Sequence, residues 1–583
     1  MPEDMDTNAA TRLEDVQCRE PSYSQQAHAI LERIGFPNSL PSGFDNPTII
    51  ETHISLVILG EERVLKFKKA VQFAFVDHRF LPQRWKSAVN EVILNRRITE
   101  GVYCGLQGVF GEGESAIFGS LVVDVVDEPP PVGAFEVAVV MERLANEDRL
   151  DYLISTDSVD LRKHIWPLAH TICRFHNDQL SLLDTASALR STNAETIAAA
   201  VSENIDKLET EARSMLPVAS RHALAYVARY SNAFLTMNRD ALVSREKKGY
   251  VIDGHGDLRA EHVYFCDGMP RVVDCIEFND SLRQVDVLSD LAFLRMDLDR
   301  LRRPKLSAEL IKEYSAMANT EIDGDVLDFY SVYRAMVRAK VALLSLQAGV
   351  DCNLDSASCD DDRFTGELSN LEMYLALASR YAHGLNKPGV VVICGPMGVG
   401  KSTLCNFLCR LTAAPIVRSD HLRKKELGSS TKDKTQIYGE GIYSAAANER
   451  TYQLVAEAVE EELGHSNQVL VDATFSKKEH RQALRNLAHN YEVSCLFAMC
   501  TLEQEELMRR LISRSEKGLA ISDGRLELLE PHLRGFEWPE ASECEDVLRI
   551  DAQQSIETQA EAVLSKLSSM MHEELTKEVE EII

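Results

Sequence analysis

The run GPMGVGKST at Gly395 to Thr403 follows the apolar VVVIC and precedes the helical pattern TLCNFLCRL. A glycine-rich turn between a buried strand and a helix constrains the fold strongly. The strand must end where the helix begins, and a strand this apolar needs helices on both faces of its sheet. This half of the chain is therefore expected to be an α/β P-loop NTPase domain with a mostly parallel sheet. The spacing fits GxxxxGK[ST]. Gly395, Gly398 and Gly400 let the backbone, with Pro396, Met397 and Val399 between them, turn its amides toward a phosphate. Lys401 can then reach the β- and γ-phosphates of ATP, and Ser402, followed by Thr403, can offer a hydroxyl to Mg²⁺.

Further charged residues are spaced around the same chemistry. QVLVDATF ends an apolar strand at Asp472, a position suited to holding Mg²⁺ or its bound water. In RSDHLRKK a helix starting near Ser419 would set Asp420 and Arg423 on one face. The carboxylate would orient or deprotonate an acceptor hydroxyl while the guanidinium clamps the substrate or the moving phosphoryl group. MRRLISRSEKG supplies Arg509, Arg510 and Arg514 ahead of SDGR, and Arg510 and Arg514 are four apart, as in a closing lid. Strand capping for Asp472 and surface solvation for the arginines are the plainer alternatives.

At 583 residues the chain exceeds the roughly 250–300 at which one core stops growing, so two or three domains are expected. A net charge of -28 opposes attraction to a phosphate backbone and argues against extended nucleic-acid binding. The opening MPEDMDTNAATRLEDVQ is acidic and polar, and no apolar stretch reaches about 18 residues, so a soluble, cytoplasmic protein with no membrane partner is expected. The 13 cysteines are scattered without a CxxC pair, which fits reduced thiols. The three histidines His164, His170 and His176 recur every six residues, a drift that does not put them on one helix face as a metal site would need.

The first half reads as strand, strand, helix, strand, strand. HISLVILG and RVLKFKKAVQFAFV read as a strand pair turning at Gly60–Glu61, a helix spans 84–99, and strands follow at 117–126 and 135–141. A helical stretch then runs from Ser155 to Asn238, strands bracket Asp267–Gly268, and helices occupy 286–298 and 307–347. The expected divisions are a polar leader at 1–25, a domain at 26–345, a linker and helix at 346–387, and the P-loop domain at 388–583. In VVDCIEFN, Asp274 and Glu277 would face opposite ways on a regular strand, so at least one must lie in a bend.

HGDLRAEHVYF at 255–265 resembles the HGDxxxxN loop of aminoglycoside phosphotransferases and related kinases. The resemblance implies an α+β, two-lobed, protein-kinase-like domain over about residues 28–345. It makes Asp257 the acceptor of the hydroxyl proton and puts His262 where a metal-binding Asn belongs. By the same register Glu277 would hold Mg²⁺, with Asp274 its competitor. Lys66 would contact phosphate and Glu91 would position it, with Lys68 the register alternative.

The second half, through GPMGVGKST, SDHLR, VDATF and the arginine-rich segment, resembles the small-molecule kinases grouped near gluconate kinase, chloramphenicol phosphotransferase and zeta toxin. Together the motifs resemble a bacterial fusion of the two kinds of domain. The resemblance implies a bifunctional kinase using ATP and Mg²⁺, whose partner is a small-molecule hydroxyl acceptor such as a sugar or nucleotide sugar. Two alternatives are a zeta-toxin-like nucleotide-sugar kinase with a partner domain, and a nucleotide-binding regulatory protein active only in its P-loop half. Neither acceptor identity nor oligomeric state is legible in these motifs.

Overall fold

The computed structural model describes residues 24–73, 76–126, 128–156, 160–183, 193–352, 360–427, 444–516, 526–540, 543 and 546–582, with the side chains at some element ends, Arg514 included, outside the description. The expected leader up to residue 23, part of the expected linker and the SDGR segment at 522–525 also fall outside it. The described chain forms two compact units. The first runs to Asn146 and adds Arg271–Ser281; the second comprises Glu147–Pro270 and the chain from Leu282 onward.

The first unit is built on a six-stranded antiparallel sheet ordered Thr48–Glu51, Ser55–Leu59, Arg63–Lys68, Ala134–Glu142, Tyr103–Phe110 and Ile117–Phe118. Strand alternation sends Leu65 and Phe67 to one face, where they join Leu56, Ile58, Ala138 and Val140 in a core with Ala27, Ile30 and Ile34. Lys66 and Lys68 therefore take the other face, where both reach Glu91 of the helix Leu81–Arg96.

The strand expected at 117–126 is corrected. Its place in the sheet belongs mostly to Tyr103–Phe110, while 117–126 keeps only the pair Ile117–Phe118 and a single bridge at Val122. Gly105 and Gly108 weaken the strand pattern of YCGLQGVF, yet Gly105 is required there. Its φ is +153° in extended backbone, and a β-carbon on it would lie 2.1 Å from the Val122 carbonyl oxygen. The register shifts between Tyr103 and Gly105, so the glycine absorbs a bulge.

The second unit begins with a helical region whose longest members are Arg162–Leu183, Val218–Met237, Gly324–Cys352 and Asp360–Ala382, together with a small antiparallel ribbon, Val251–Asp253 with Gln284–Asp286. It continues into a five-stranded sheet ordered Ile416–Arg418, Gln468–Asp472, Gly389–Cys394, Ser494–Thr501 and Val547–Asp551, parallel throughout. The last strand, VLRID, was not foreseen: only Ile550 in it is buried, so it carries little apolar signal.

Alternating residues of the central strand feed two cores. Val391 and Ile393 pack with Leu404, Leu408 and Leu411 of the helix Lys401–Thr412, and Val390, Val392 and Cys394 pack with Val455, Val459 and Leu484 on the opposite face. The first of these cores also takes in Ala219 and Ala223 of the helix Val218–Met237, and Leu385. The helical region and the parallel sheet thus share one apolar interior.

Candidate active site

In the first unit, two lysines and three carboxylates form one cluster. Lys66 Nζ lies 2.8 Å from Glu91 Oε1 and 2.6 Å from Asp274 Oδ1. Lys68 Nζ lies 2.6 Å from Glu91 Oε2 and also pairs with Glu277. Burial alone would pull both ammonium groups down. Asp274, Glu91 and Glu277 outweigh it and hold Lys66 well above its ordinary value, while Glu277 and Glu91 raise Lys68. Burial opposes the Glu91 charge too, but the two lysines bring its carboxyl below the usual range; at Glu277 burial wins and the carboxyl is raised.

Asp274 and Glu277 both lie beyond the strand Met269–Val272, and the bend falls at Asp274, whose φ is +64°. The Tyr103 hydroxyl accepts from the Asp274 backbone N–H at 3.1 Å, and Asn95 Oδ1 from that of Cys275 at 2.9 Å, which pins the turn. The consequence is unequal exposure. The Asp274 side chain is 44% exposed and that of Glu277 only 5%.

In the second unit, the loop at 255–262 hangs from buried carboxylates. Asp290 accepts from the His255 N–H at 2.6 Å and the Gly256 N–H at 2.9 Å, and Asp297 accepts from Ala260 N–H at 2.9 Å. Gly254 permits this approach, since a β-carbon there would meet Asp290 Oδ2 at 2.4 Å. Asp257 receives a two-pronged ion pair from Arg259, at 2.9 and 3.1 Å. Burial would raise the Asp257 carboxyl, but Arg259, His262 and Arg338 hold it well below the usual carboxylate range. His262 Nδ1 bonds to the Asp257 carbonyl oxygen at 2.8 Å, so the loop turns back on itself. Arg259, Asp290 and Asp297 were missed as site residues, although the spacing of Asp286 and Asp290 behind the loop was a visible signal. Of the three spaced histidines, His176 is buried against Tyr314, His170 stacks on Trp166, and His164 packs on Phe265.

The glycine-rich loop of the second unit joins the central strand to its helix as the sequence requires. Gly395, Gly398 and Gly400 have φ of +133°, +80° and +112°, which L side chains rarely adopt. Gly395 N–H donates to the Thr474 carbonyl at 3.2 Å, tying the loop to the end of the neighbouring strand. Lys401 Nζ folds back onto its own loop, donating to the carbonyls of Gly395 at 3.1 Å and Pro396 at 2.9 Å. Pro396 and Met397 occupy the loop between the first two glycines, and Val399 is buried below it. Ser402 and Thr403 are exposed in the first helical turn.

Parallel register sets Asp472 beside Ile393 and Arg418, at the carboxyl ends of their strands. Arg418 Nε is 4.0 Å from its carboxylate, and Ser419 Oγ donates to its carbonyl at 3.3 Å. Asp420 is half exposed, with Arg423 Nη1 at 3.2 Å. The Arg423 guanidinium also donates to Asn448 Oδ1 at 3.2 Å and Thr451 Oγ1 at 3.3 Å, partners that the sequence did not single out. Arg510 does not extend into solvent as a free lid residue. It is fastened to the carbonyls of Val399 at 3.1 Å and Ala552 at 2.9 Å, whereas Arg509 points outward to Glu506. The side chain of Arg514 is outside the described residues. Among the described helices none is long and apolar enough to cross a membrane.

Residues 390–539 match a family model described as AAA domain. An uncharacterised protein of Mycobacterium tuberculosis (strain ATCC 25618 / H37Rv) is 27% identical over 473 residues, covering 80% of this chain and 86% of that protein. Among solved structures, a gluconokinase from Sinorhizobium meliloti 1021 is 18% identical and covers 33% of this chain and 97% of its own, with a TM-score of 0.26. A GDP complex of an aminoglycoside 2'-phosphotransferase is 15% identical and covers 62% of this chain and 100% of its own, with a TM-score of 0.35.

Proposed function

We propose that the chain is an ATP- and Mg²⁺-dependent phosphotransferase that moves phosphoryl groups onto hydroxyls of small, sugar-like molecules, using two separate sets of residues. The observation that carries this reading is the glycine loop at the carboxyl end of the central parallel strand, with Lys401 folded onto its carbonyls. Phosphate oxygens would take over the hydrogen bonds that Lys401 now makes to its own backbone. Ser402 and Asp472 are oxygen donors of the kind Mg²⁺ takes, and the ion when bound neutralises charge on the β- and γ-phosphate oxygens.

Asp420, half exposed and oriented by Arg423, accepts the proton of the incoming hydroxyl. Arg510, already fixed to the loop carbonyl of Val399, offsets charge from one side without having to be ordered first. Arg514 is assigned to the lid by its spacing from Arg510 alone.

For the other set, Lys66 is the phosphate contact and Glu91 positions it. Lys68 holds Glu277 in the buried part of the cluster, and Asp274, paired with Lys66 but far more exposed, is taken as the metal carboxylate in preference to Glu277. On the loop of the second unit, Asp257 is assigned the hydroxyl proton by the resembled pattern alone, once Arg259 yields, and His262 shapes that loop in place of the Asn.

The Asp257–Arg259 clamp also favours a second reading, in which this set binds nucleotide without turnover and regulates the other. Incubating a metabolite extract with γ-labelled ATP and wild type, D257N or K401A separates the two. Two products, each lost in a different variant, mean two transferases. One product, lost only in K401A, means a regulatory first set. Labelling that survives K401A unchanged in every product removes the phosphate-loop assignment.

A further inference from the structure

The helix Leu526–Arg534 carries a histidine that the motifs leave unused. Leu529 and Leu533 pack into the core under the phosphate loop, with Val399, Leu404 and Leu511, on one face of the parallel sheet. Phe536, just past the helix, packs into the core on the opposite face with Cys394 and Phe475. A segment that feeds both cores within eight residues must cross an edge of the sheet. The edge is the carboxyl one, because Glu537 N–H donates to the carbonyl of Ser476, in the loop that follows Asp472, at 2.8 Å. Open parallel sheets take their ligands there.

His532 sits between those anchors, three residues after Leu529 and four before Phe536, whose ring it meets edge-on at 5.9 Å. It is 9% exposed, and its Nε2 is buried with no hydrogen-bond partner among the described residues. An orphaned buried ring nitrogen is costly and asks for a bound partner. Burial and, after it, the charge of Lys401 push the imidazole down to about 4, so the ring stays neutral near the phosphate-loop lysine. A neutral imidazole protonated on Nε2 is a hydrogen-bond donor without charge.

We propose that His532 is a phosphate-contacting residue of the Lys401 site, its Nε2–H donating to an oxygen of the terminal phosphoryl group of a bound nucleoside triphosphate. This rests on the phosphate-loop reading above and adds a donor from outside the loop. The neutral donor fills a place where another cation would repel Lys401. The helix that carries it crosses the carboxyl edge of the sheet, where open parallel sheets take their ligands.

The test is a calorimetric double-mutant cycle on the full chain, using Mg²⁺ and a non-hydrolysable ATP analogue with wild type, H532A, K401A and the double variant. Any second nucleotide site is common to all four. We expect H532A to weaken the Lys401-dependent binding event about tenfold, the loss of one hydrogen bond to a charged group, and to add little once Lys401 is gone. H532Q, which keeps an N–H donor, should recover most of the affinity. Histidine ring-carbon NMR gives a readout that needs no truncation: the resonance absent from H532Q should shift in wild type when the analogue is added. Wild-type affinity in H532A, or a His532 resonance that the analogue leaves unmoved, overturns the proposal even when K401A has lost binding and the phosphate loop stands. Unchanged binding in K401A as well would take both readings down.

Discussion

Glu91 and Glu277 show how one residue type is pushed in two directions within a single cluster. Glu91 is shared by two ammonium groups and stays anionic against full burial, whereas Glu277 has one close lysine and two neighbouring carboxylates, and its carboxyl is raised. Such balances were not legible in the sequence, because Lys66, Glu91 and Asp274 are brought together across more than 200 residues of chain. A cleaner case is Glu543, paired with buried Arg481 at 3.0 Å and with Arg485 at 2.9 Å. The hydrogen bonds from Arg481 bring its carboxyl down from 4.5 to about 2. The folded value lies below the unfolded one, so this contribution is complete above pH 4.5 and fades as pH falls toward about 2. E543Q should therefore lower the melting temperature at pH 6, with the gap to wild type narrowing steadily between pH 4.5 and 2. A gap that stays constant with pH across that range would show that the pair does not titrate as described.

Elements were legible where period and flanking residues agreed. VVVIC, the glycine loop and the helix after it could be placed to within a residue, because a strand, a positive-φ turn and an amphipathic helix each leave their own pattern. Tyr103–Phe110 was illegible because glycine, normally a strand weakener, is there to admit the Val122 carbonyl. Arg259 and the Asn448–Thr451 pair were illegible for another reason: a guanidinium's partners depend on how a loop or a distant helix returns to it. At Gly395 the demands coincide, since φ is +133° and a β-carbon would meet the Cys500 carbonyl oxygen at 2.4 Å. G395A should displace the loop or the strand Ser494–Thr501 behind it. We expect a destabilisation of about 1–3 kcal/mol from backbone strain alone, and analogue binding at the Lys401 site to fall at least as far as in K401A. Chemical denaturation and calorimetry check the two parts separately, and normal binding would mean that the loop tolerates a side chain.

At the scale of the whole molecule, the expected cut before residue 388 runs through packed structure. Leu385 and the alanines Ala219 and Ala223 belong to the same core as Leu404, Leu408 and Val563 of the sheet region. Gln468 Nε2 donates to the carbonyls of Leu385 at 2.9 Å and Lys387 at 2.7 Å, so the chain entering the sheet is stitched to it. A composition shift marks where a motif begins, but small alanines on an amphipathic helix do not say which neighbour they face. A223D would bury an unpaired carboxylate at the shared core. It should destabilise the helical and sheet regions together by about 3 kcal/mol or more, seen as a lower common melting temperature. Hydrogen exchange resolved by peptide checks this: protection should drop both in Val218–Met237 and in Lys401–Thr412, and a loss confined to either helix would contradict a common interior.

That common interior turns a small molecule into a structural ingredient. A ligand held at the amino end of Lys401–Thr412 stabilises, by mass action, every part that melts with that helix, including a loop at 255–262 that it never touches. The abundance and heat tolerance of one candidate chemistry would then track the supply of the other's nucleotide, with no signal passing between them beyond the shared cost of coming apart.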